Sequence, residues 1–273
     1  MKSFRKTTLT ISAWIVGLLF ISPYIEMLIT SLKPKSEITN IPTTYLPKKW
    51  EFANFINIWK QIPLATFLKS SIIVSLSATV LVILIAVPAA YYVARNNFRG
   101  RNAFMFLVLI TQMFSPTALV IGIFREIVSF KLVNTYQALI LVYTAFNLAF
   151  ATWILSSFFA SIPMEIEEAA WIDGASRVKT LRKVVLPLAL PGLVTATIFT
   201  FIAAWNEFVI AFTVEGSPTH QPITVGLDSF IGQYQVQWEY LFAGSLIAII
   251  PVVILFAFIE KWLVTGLTAG SVK

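Results

Sequence analysis

The chain has 273 residues, 58% of them hydrophobic and only 12% charged, with a formal net charge of +7. Soluble globular proteins carry roughly 25% charged residues, so a surface solvated by water over most of its area is excluded. The absence of cysteine and the single histidine, His220, exclude a disulfide framework, a thiolate metal site and a His-cluster metal centre. The excess of Lys and Arg falls between apolar blocks, where membrane topology and anionic headgroups account for it more simply than nucleic acid does.

A spanning helix needs about 20 mostly apolar residues. In chain order the first candidate covers about 8–31, with Glu26 near its outer end and Pro23 inside it. A long connection, 32–68, follows. It contains "WEFANFINIWKQI", in which Phe52, Phe55, Ile56 and Trp59 share a helical face, as in an amphipathic helix lying at a membrane surface or a platform for a partner. The second candidate is 69–94, with Pro88 inside. The third, 103–124, is interrupted by "TQMFSPT", which carries Gln112 and Ser115 at i, i+3 spacing and Pro116.

The fourth candidate, 137–160, carries Thr144 and Asn147, again at i, i+3. The fifth, 189–213, carries Asn206 and Glu207, and the sixth, 241–265, carries Pro251. Neighbouring helices can re-satisfy the carbonyls that proline frees, so kinks rather than breaks are expected. Polar side chains at depth face a bundle interior, which makes Gln112, Ser115, Thr144, Asn147, Asn206 and Glu207 candidates to line a pathway. The plainer alternative is helix–helix hydrogen bonding worth about 0.6 kcal/mol each. The pattern predicts an all-α membrane protein of six transmembrane helices, one domain over residues 1–273.

Between the fourth and fifth candidates lies "EIEEAAWIDGASRVKTLRKVVLPL", Glu165 to Leu188, with eight charged side chains. At about 2.5–3.5 kcal/mol per ion even on a lenient insertion scale, it lies outside the hydrocarbon. Its order is helix, turn, helix. Glu165, Glu167 and Glu168 crowd the positive end of a first helix, and Gly174 suits a left-handed stop. Ser176 can cap a second helix that runs towards Pro187. Ile166, Ala169 and Ala170 make a shallow face on the first helix, open to close approach by another surface. An even number of spans puts both termini on one side. Lys and Arg in this loop and in "RNNFRGR" mark that side as cytoplasmic.

Glu168-Ala169-Ala170, then Gly174, then Val184-x-Leu186-Pro187 resembles the EAA loop of ABC importer permeases, with Val184 where the family usually has Ile. "SLKP", "AYYVARNNFRGR", "AWNEFVIAF" and "GLTAGSVK" are similar to the carbohydrate-uptake permeases of the maltose type, and to their smaller permease subunit in particular. Ser70 stands where that family often has Asn. The resemblance implies the ABC importer permease fold and a coupling helix that sits in a cleft of a cytoplasmic ATPase dimer. Glu168, Ala169, Ala170, Asp173, Gly174, Leu186 and Pro187 would be its coupling residues.

The resemblance further implies a second homologous permease, an extracellular solute-binding protein and a prokaryotic cell membrane, with no nucleic acid involved. ATP and Mg would sit on the partner ATPase, and no cofactor on this chain. Consistent with that division, the chain has no G-x-x-x-x-G-K-[ST] loop and no convincing catalytic arrangement, so it reads as a transport subunit and not an enzyme. By resemblance, 215–239 would reach into the binding protein, and the tail Gly266 to Lys273 would insert between the ATPase subunits. The solute would be a sugar or oligosaccharide, with glycerol-phosphate or another polyol as the alternative. An ion-coupled secondary transporter would instead show inverted repeats and broken helices. A membrane-bound enzyme would need a catalytic constellation.

Overall fold

The computed structural model describes residues 2–42 and 44–269. Its regular structure is α-helical apart from one π-helical turn, a single antiparallel bridge, Ile231–Val236, being the one β feature among the described residues. The expectation for the tail Gly266 to Lys273 lies outside the residues whose side chains are described. Backbone packing divides the chain into two compact units, Met1–Ala65 with Gly226–Ile250 and Thr66–Val225 with Pro251–Lys273.

Among the described residues, four helices are long and apolar enough to cross a membrane: α1 (Lys2–Ser31), α4 (Leu64–Arg95), α7 (Tyr136–Ser161) and α14 (Trp238–Ala269). Two bent pairs bring the total to as many as six. The first joins α5 (Arg101–Thr111) to α6 (Pro116–Ser129) at 94°, and the second joins Arg177–Leu188 to α11 (Leu190–Asn206) at 79°. Pro23, Pro88 and Pro251 do lie inside continuous helices. Pro116 behaves differently. It takes the first position of α6 behind Ser115, whose hydroxyl accepts from the Thr117 N–H, so the third candidate is broken there and not merely kinked. α6 also runs past the expected end at 124 to Ser129, carrying Arg125 and Glu126.

In the first unit, two short helices follow α1: α2 (Lys35–Ile38) and α3 (Asn54–Gln61). Asn54 donates to the Ser31 and Lys33 carbonyls at 2.9 and 3.1 Å, closing the end of α1. Thr44 donates to Glu37 at 2.8 Å and the Lys48 N–H adds bonds at 2.9 and 3.1 Å, which holds the Glu37 carboxyl below its ordinary value. α3 buries Asn54 and Ile58, while Phe52, Ile56 and Trp59 are exposed. Of the amphipathic face read from the sequence, Phe55 is thus half-buried and the other three are open, which suits a helix resting on a membrane surface.

The second unit is organised by α4. Val74, Ala78, Val82, Ala86 and Ala90 recur every fourth residue and are all buried, with Ser70, Ser71, Ser75 and Thr79 beside them. Small side chains let helices approach closely where no hydrophobic effect drives them together. Ser75 and Thr79 return their hydroxyls to carbonyls one turn back, at 2.6 and 2.7 Å, so the stripe has no orphaned donor. Val74 and Ala78 share a core with α7 and with α12 (Val209–Val214). Val82, Ala86 and Ala90 share a second core with Ala151, Leu155 and Phe159 of α7, Val185, Ala189 and Ala196. α7 and α11 meet at Gly192, where an added Cβ would lie 2.3 Å from Phe158 Cγ and 2.7 Å from Phe158 Cβ.

Candidate functional site

The charged loop forms α8 (Met164–Ile172), a turn, and then α9 (Arg177–Thr180). α9 continues through a π-helical turn (Leu181–Val185) into α10 (Leu186–Leu188). α8 ends as its sequence requires. Gly174 has φ +80°, its N–H donates to the Trp171 carbonyl at 2.9 Å, and the Ala175 N–H donates to the Ala170 carbonyl at 2.9 Å. This is a Schellman closure, which needs a left-handed residue at that position. Ser176 caps α9 by accepting from the Lys179 N–H, as its spacing predicts.

The two faces of α8 differ sharply. Glu168, Ala169, Asp173 and Gly174 are exposed and Ala170 is half-buried, so the residues expected to couple at this end are open to solvent. Ile172, which the face read from the sequence leaves out, is 87% exposed at the end of α8. Leu186 is half-buried and Pro187 exposed. On the other side, Glu167 is wholly buried. Arg95 Nε reaches its Oε1 at 2.6 Å and the Tyr91 hydroxyl donates to its Oε2 at 2.5 Å. Tyr91 meets Phe159 edge-on at 5.9 Å, and Arg177 lies 5.4 Å over the Trp171 ring. Sequence reading grouped Glu167 with its solvated neighbours. No pattern in the chain links it to residues 72 and 76 positions away.

The candidate pathway residues do not form one cluster. Gln112 is exposed and donates to the Phe146 carbonyl at 2.9 Å, which ties the α5–α6 break to α7. Ser115 is the cap of α6. Thr144 is buried and Asn147 half-buried, and each bonds a carbonyl one turn back, at 2.7 and 2.8 Å. Asn206 ends α11 and is exposed. Glu207 breaks the fifth span. Its backbone is extended, and its carboxylate accepts from the Ile210 N–H at 2.8 Å, the Ala211 N–H at 3.1 Å and the Tyr143 hydroxyl at 2.7 Å. The Thr224 hydroxyl closes on the Glu207 carbonyl at 2.9 Å. A carboxylate at the head of α12 satisfies first-turn donors that a break in a membrane would otherwise orphan.

Beyond α12 the chain is docked and not free. Asn134, at φ +58°, accepts from the Gly216 and Ser217 N–H groups at 2.7 and 3.2 Å. The Ile223 N–H, at the start of α13 (Ile223–Asp228), reaches Ser71 at 2.7 Å. Glu215 is buried, and neither carboxylate oxygen has a hydrogen-bond partner among the described residues. Burial pushes its carboxyl up to about 7. Ser70 meets the Tyr136 hydroxyl at 3.1 Å, so the departure from Asn is accommodated by a tyrosine of α7. No group of three or more His, Cys, Asp or Glu side chains able to hold a metal occurs among the described residues.

Residues 83–268 match the family model described as the binding-protein-dependent transport system inner membrane component. The chain is 39% identical over 251 residues to the sulfoquinovosyl glycerol transport system permease protein SmoH of Agrobacterium fabrum, covering 92% of this chain and 88% of that one. It is 35% identical over 272 residues to the trehalose/maltose transport system permease protein MalG of Thermococcus litoralis, covering 98% and 97%. Among solved structures it is similar to a bacterial ABC transporter involved in the import of the acidic polysaccharide alginate. There the TM-score is 0.79 and the identity 24%, over 96% of this chain and 98% of that chain, a likeness of fold. An open α8 between two spans, in a multi-pass helical chain, agrees with these matches. The chain belongs to the family of binding-protein-dependent transport system inner membrane components, which are permeases and not enzymes.

Proposed function

We propose that this chain is one of two homologous permease subunits that together enclose the pathway of an ATP-driven importer for a sugar or oligosaccharide. A cytoplasmic ATPase dimer clasps α8, and an extracellular binding protein delivers the solute. Both termini and the loop 165–188 are cytoplasmic. The observation that carries the reading is the geometry of α8. It is a nine-residue helix whose Glu168, Ala169 and Asp173 stand open to a partner while its Glu167 is sealed against the end of a spanning helix. The solute class rests on the names of the relatives, a trehalose/maltose permease and a sulfoquinovosyl glycerol permease.

In the mechanism, ATP closes the ATPase dimer, α8 moves with it, and the spans reorient to accept solute from outside. Gln112, Ser115, Thr144, Asn147, Asn206 and Glu207 line this path, and Gln112, Ser115 and Glu207 also hold its helix breaks. Broken helices are also what an ion-coupled transporter would show. Here they occur in a chain of the binding-protein-dependent family, and Glu207 is engaged as a cap.

The test is an affinity pull-down of the tagged chain from its native membrane, with partners identified by mass spectrometry. Recovery of a second permease, a P-loop ATPase and a binding protein supports the reading, and the ligand of that binding protein names the solute. A chain that purifies alone and transports in vesicles without ATP overturns it.

A further inference from the structure

The attachment of α8 to the rest of the second unit has an unusual form. Its close backbone neighbours are the following helices of its own loop. Its tie to α4 is made by side chains, and both oxygens of one carboxylate are taken by two residues one turn apart on the same helix, Tyr91 and Arg95. Two points of attachment fix orientation as well as distance. The side chains are 10% exposed for Arg95 and 0% for Glu167. Among the described residues the other ion pair, Lys49–Glu51, is local and solvated.

A buried ion pair is a poor source of net stability, because desolvating two charges offsets most of their attraction. Apolar residues of similar volume would hold the same two helices together as well or better. What the pair adds is a fixed register, since each hydrogen bond is satisfied in one geometry only. The Nη2 of Arg95 is buried with no partner, so the guanidinium depends on Glu167 for its compensation. The joint is also braced. Phe159 lies edge-on to Tyr91, and Ala90, one turn before Ala94 and Arg95, is packed with Phe159 and Val185 in the same core.

We propose that Glu167, Arg95 and Tyr91 are positioning residues that transmit the stroke of α8 to the cytoplasmic end of α4, so that loop and spanning helix move as one body. Glu168 and Ala169 meet the partner, and Glu167, one position earlier and turned inward, carries the displacement into the membrane. This rests on the reading that an ATPase drives α8.

The chain has no cysteine, which makes selective labelling direct. Spin labels are placed at two exposed positions, E165C at the start of α8 and N97C just beyond α4, in the complete complex with cysteine-free partner subunits. The distance between them is measured by pulsed EPR without nucleotide and with Mg-ATP trapped by vanadate. With the joint intact, the distance is expected to shift by less than the width of its own distribution. In E167Q it is expected to shift or broaden on trapping, while the complex still hydrolyses ATP. Y91F keeps the ion pair and removes one attachment, so it decides the matter where E167Q does not assemble. A nucleotide-dependent distance in the parent, or an unchanged distance in both variants, overturns the proposal. A parent complex without ATPase activity overturns the reading beneath it instead.

Discussion

Glu207 and Tyr143, 64 positions apart, share a hydrogen bond of 2.7 Å at the point where the fifth span breaks. The same carboxylate heads α12, so one side chain closes a helix break, caps the next helix and ties both to α7. Replacing it with alanine strands the buried Tyr143 hydroxyl and two N–H groups. An unsatisfied buried group costs about 1–3 kcal/mol. E207A is expected to lower the melting temperature of the detergent-solubilised protein markedly. E207Q, which can still accept one of these bonds, should lower it less. Equal melting of E207A and the parent would show that the break is held by other contacts.

Gly192 of α11 lies against Phe158 of α7. A Cβ there meets Phe158 at its own Cβ and ring, which cannot swing clear without moving α7. Overpacking of this kind costs roughly 1–3 kcal/mol. G192A is expected to destabilise and G192V to destabilise more. The paired variant F158A/G192A should recover part of the loss. Thermal unfolding in detergent gives the ranking, and an unperturbed G192V would contradict the packing.

Gly174 is chosen for its backbone. A left-handed conformation costs an ordinary L-residue about 1–2 kcal/mol, and Asn tolerates it better than others. Uptake by the assembled importer is expected to fall most in G174L, which adds strain and bulk on the open surface, and least in G174N. Protein level in the membrane should hold in both. Normal uptake by G174L at normal level would remove this turn from the coupling surface.

Glu215 gives a pH dependence with a definite sign. Burial raises its carboxyl from the usual 4.5 to about 7. A group with a raised folded value adds stability that is fully present below its unfolded value and is lost as pH rises through the folded one. Melting temperature of the parent is therefore expected to decline between about 4.5 and 7, with E215Q lacking that component, so that the difference between the two curves changes across the window. A parent and E215Q that titrate in parallel would assign the decline to other groups.

Much of the architecture is legible along the chain, because the signals are local. Apolar blocks of spanning length, the charges gathered in 165–188, Ser176 as a cap and Gly174 as a stop all act within a few residues of themselves. The four-residue recurrence from Val74 to Ala90 is also present in the sequence, but hydropathy hides it, since alanine and valine raise the average wherever they point. The expected kink at Pro116 became a break because Ser115 offered α6 a cap, which a count of apolar residues does not weigh.

What the sequence by itself determined is therefore the class: a multi-pass helical permease with one strongly charged helix–turn–helix loop. Tertiary structure alone decided the roles of its carboxylates. Glu165, Glu167 and Glu168 are near neighbours of one type on one helix, yet only Glu167 is turned inward to Tyr91 and Arg95. Glu207 and Glu215 lie on either side of the same short helix, yet one is fully bonded and the other buried without a partner. The physical reason is that a carboxylate's state depends on which donors arrive from distant parts of the chain, and local pattern does not encode those arrivals.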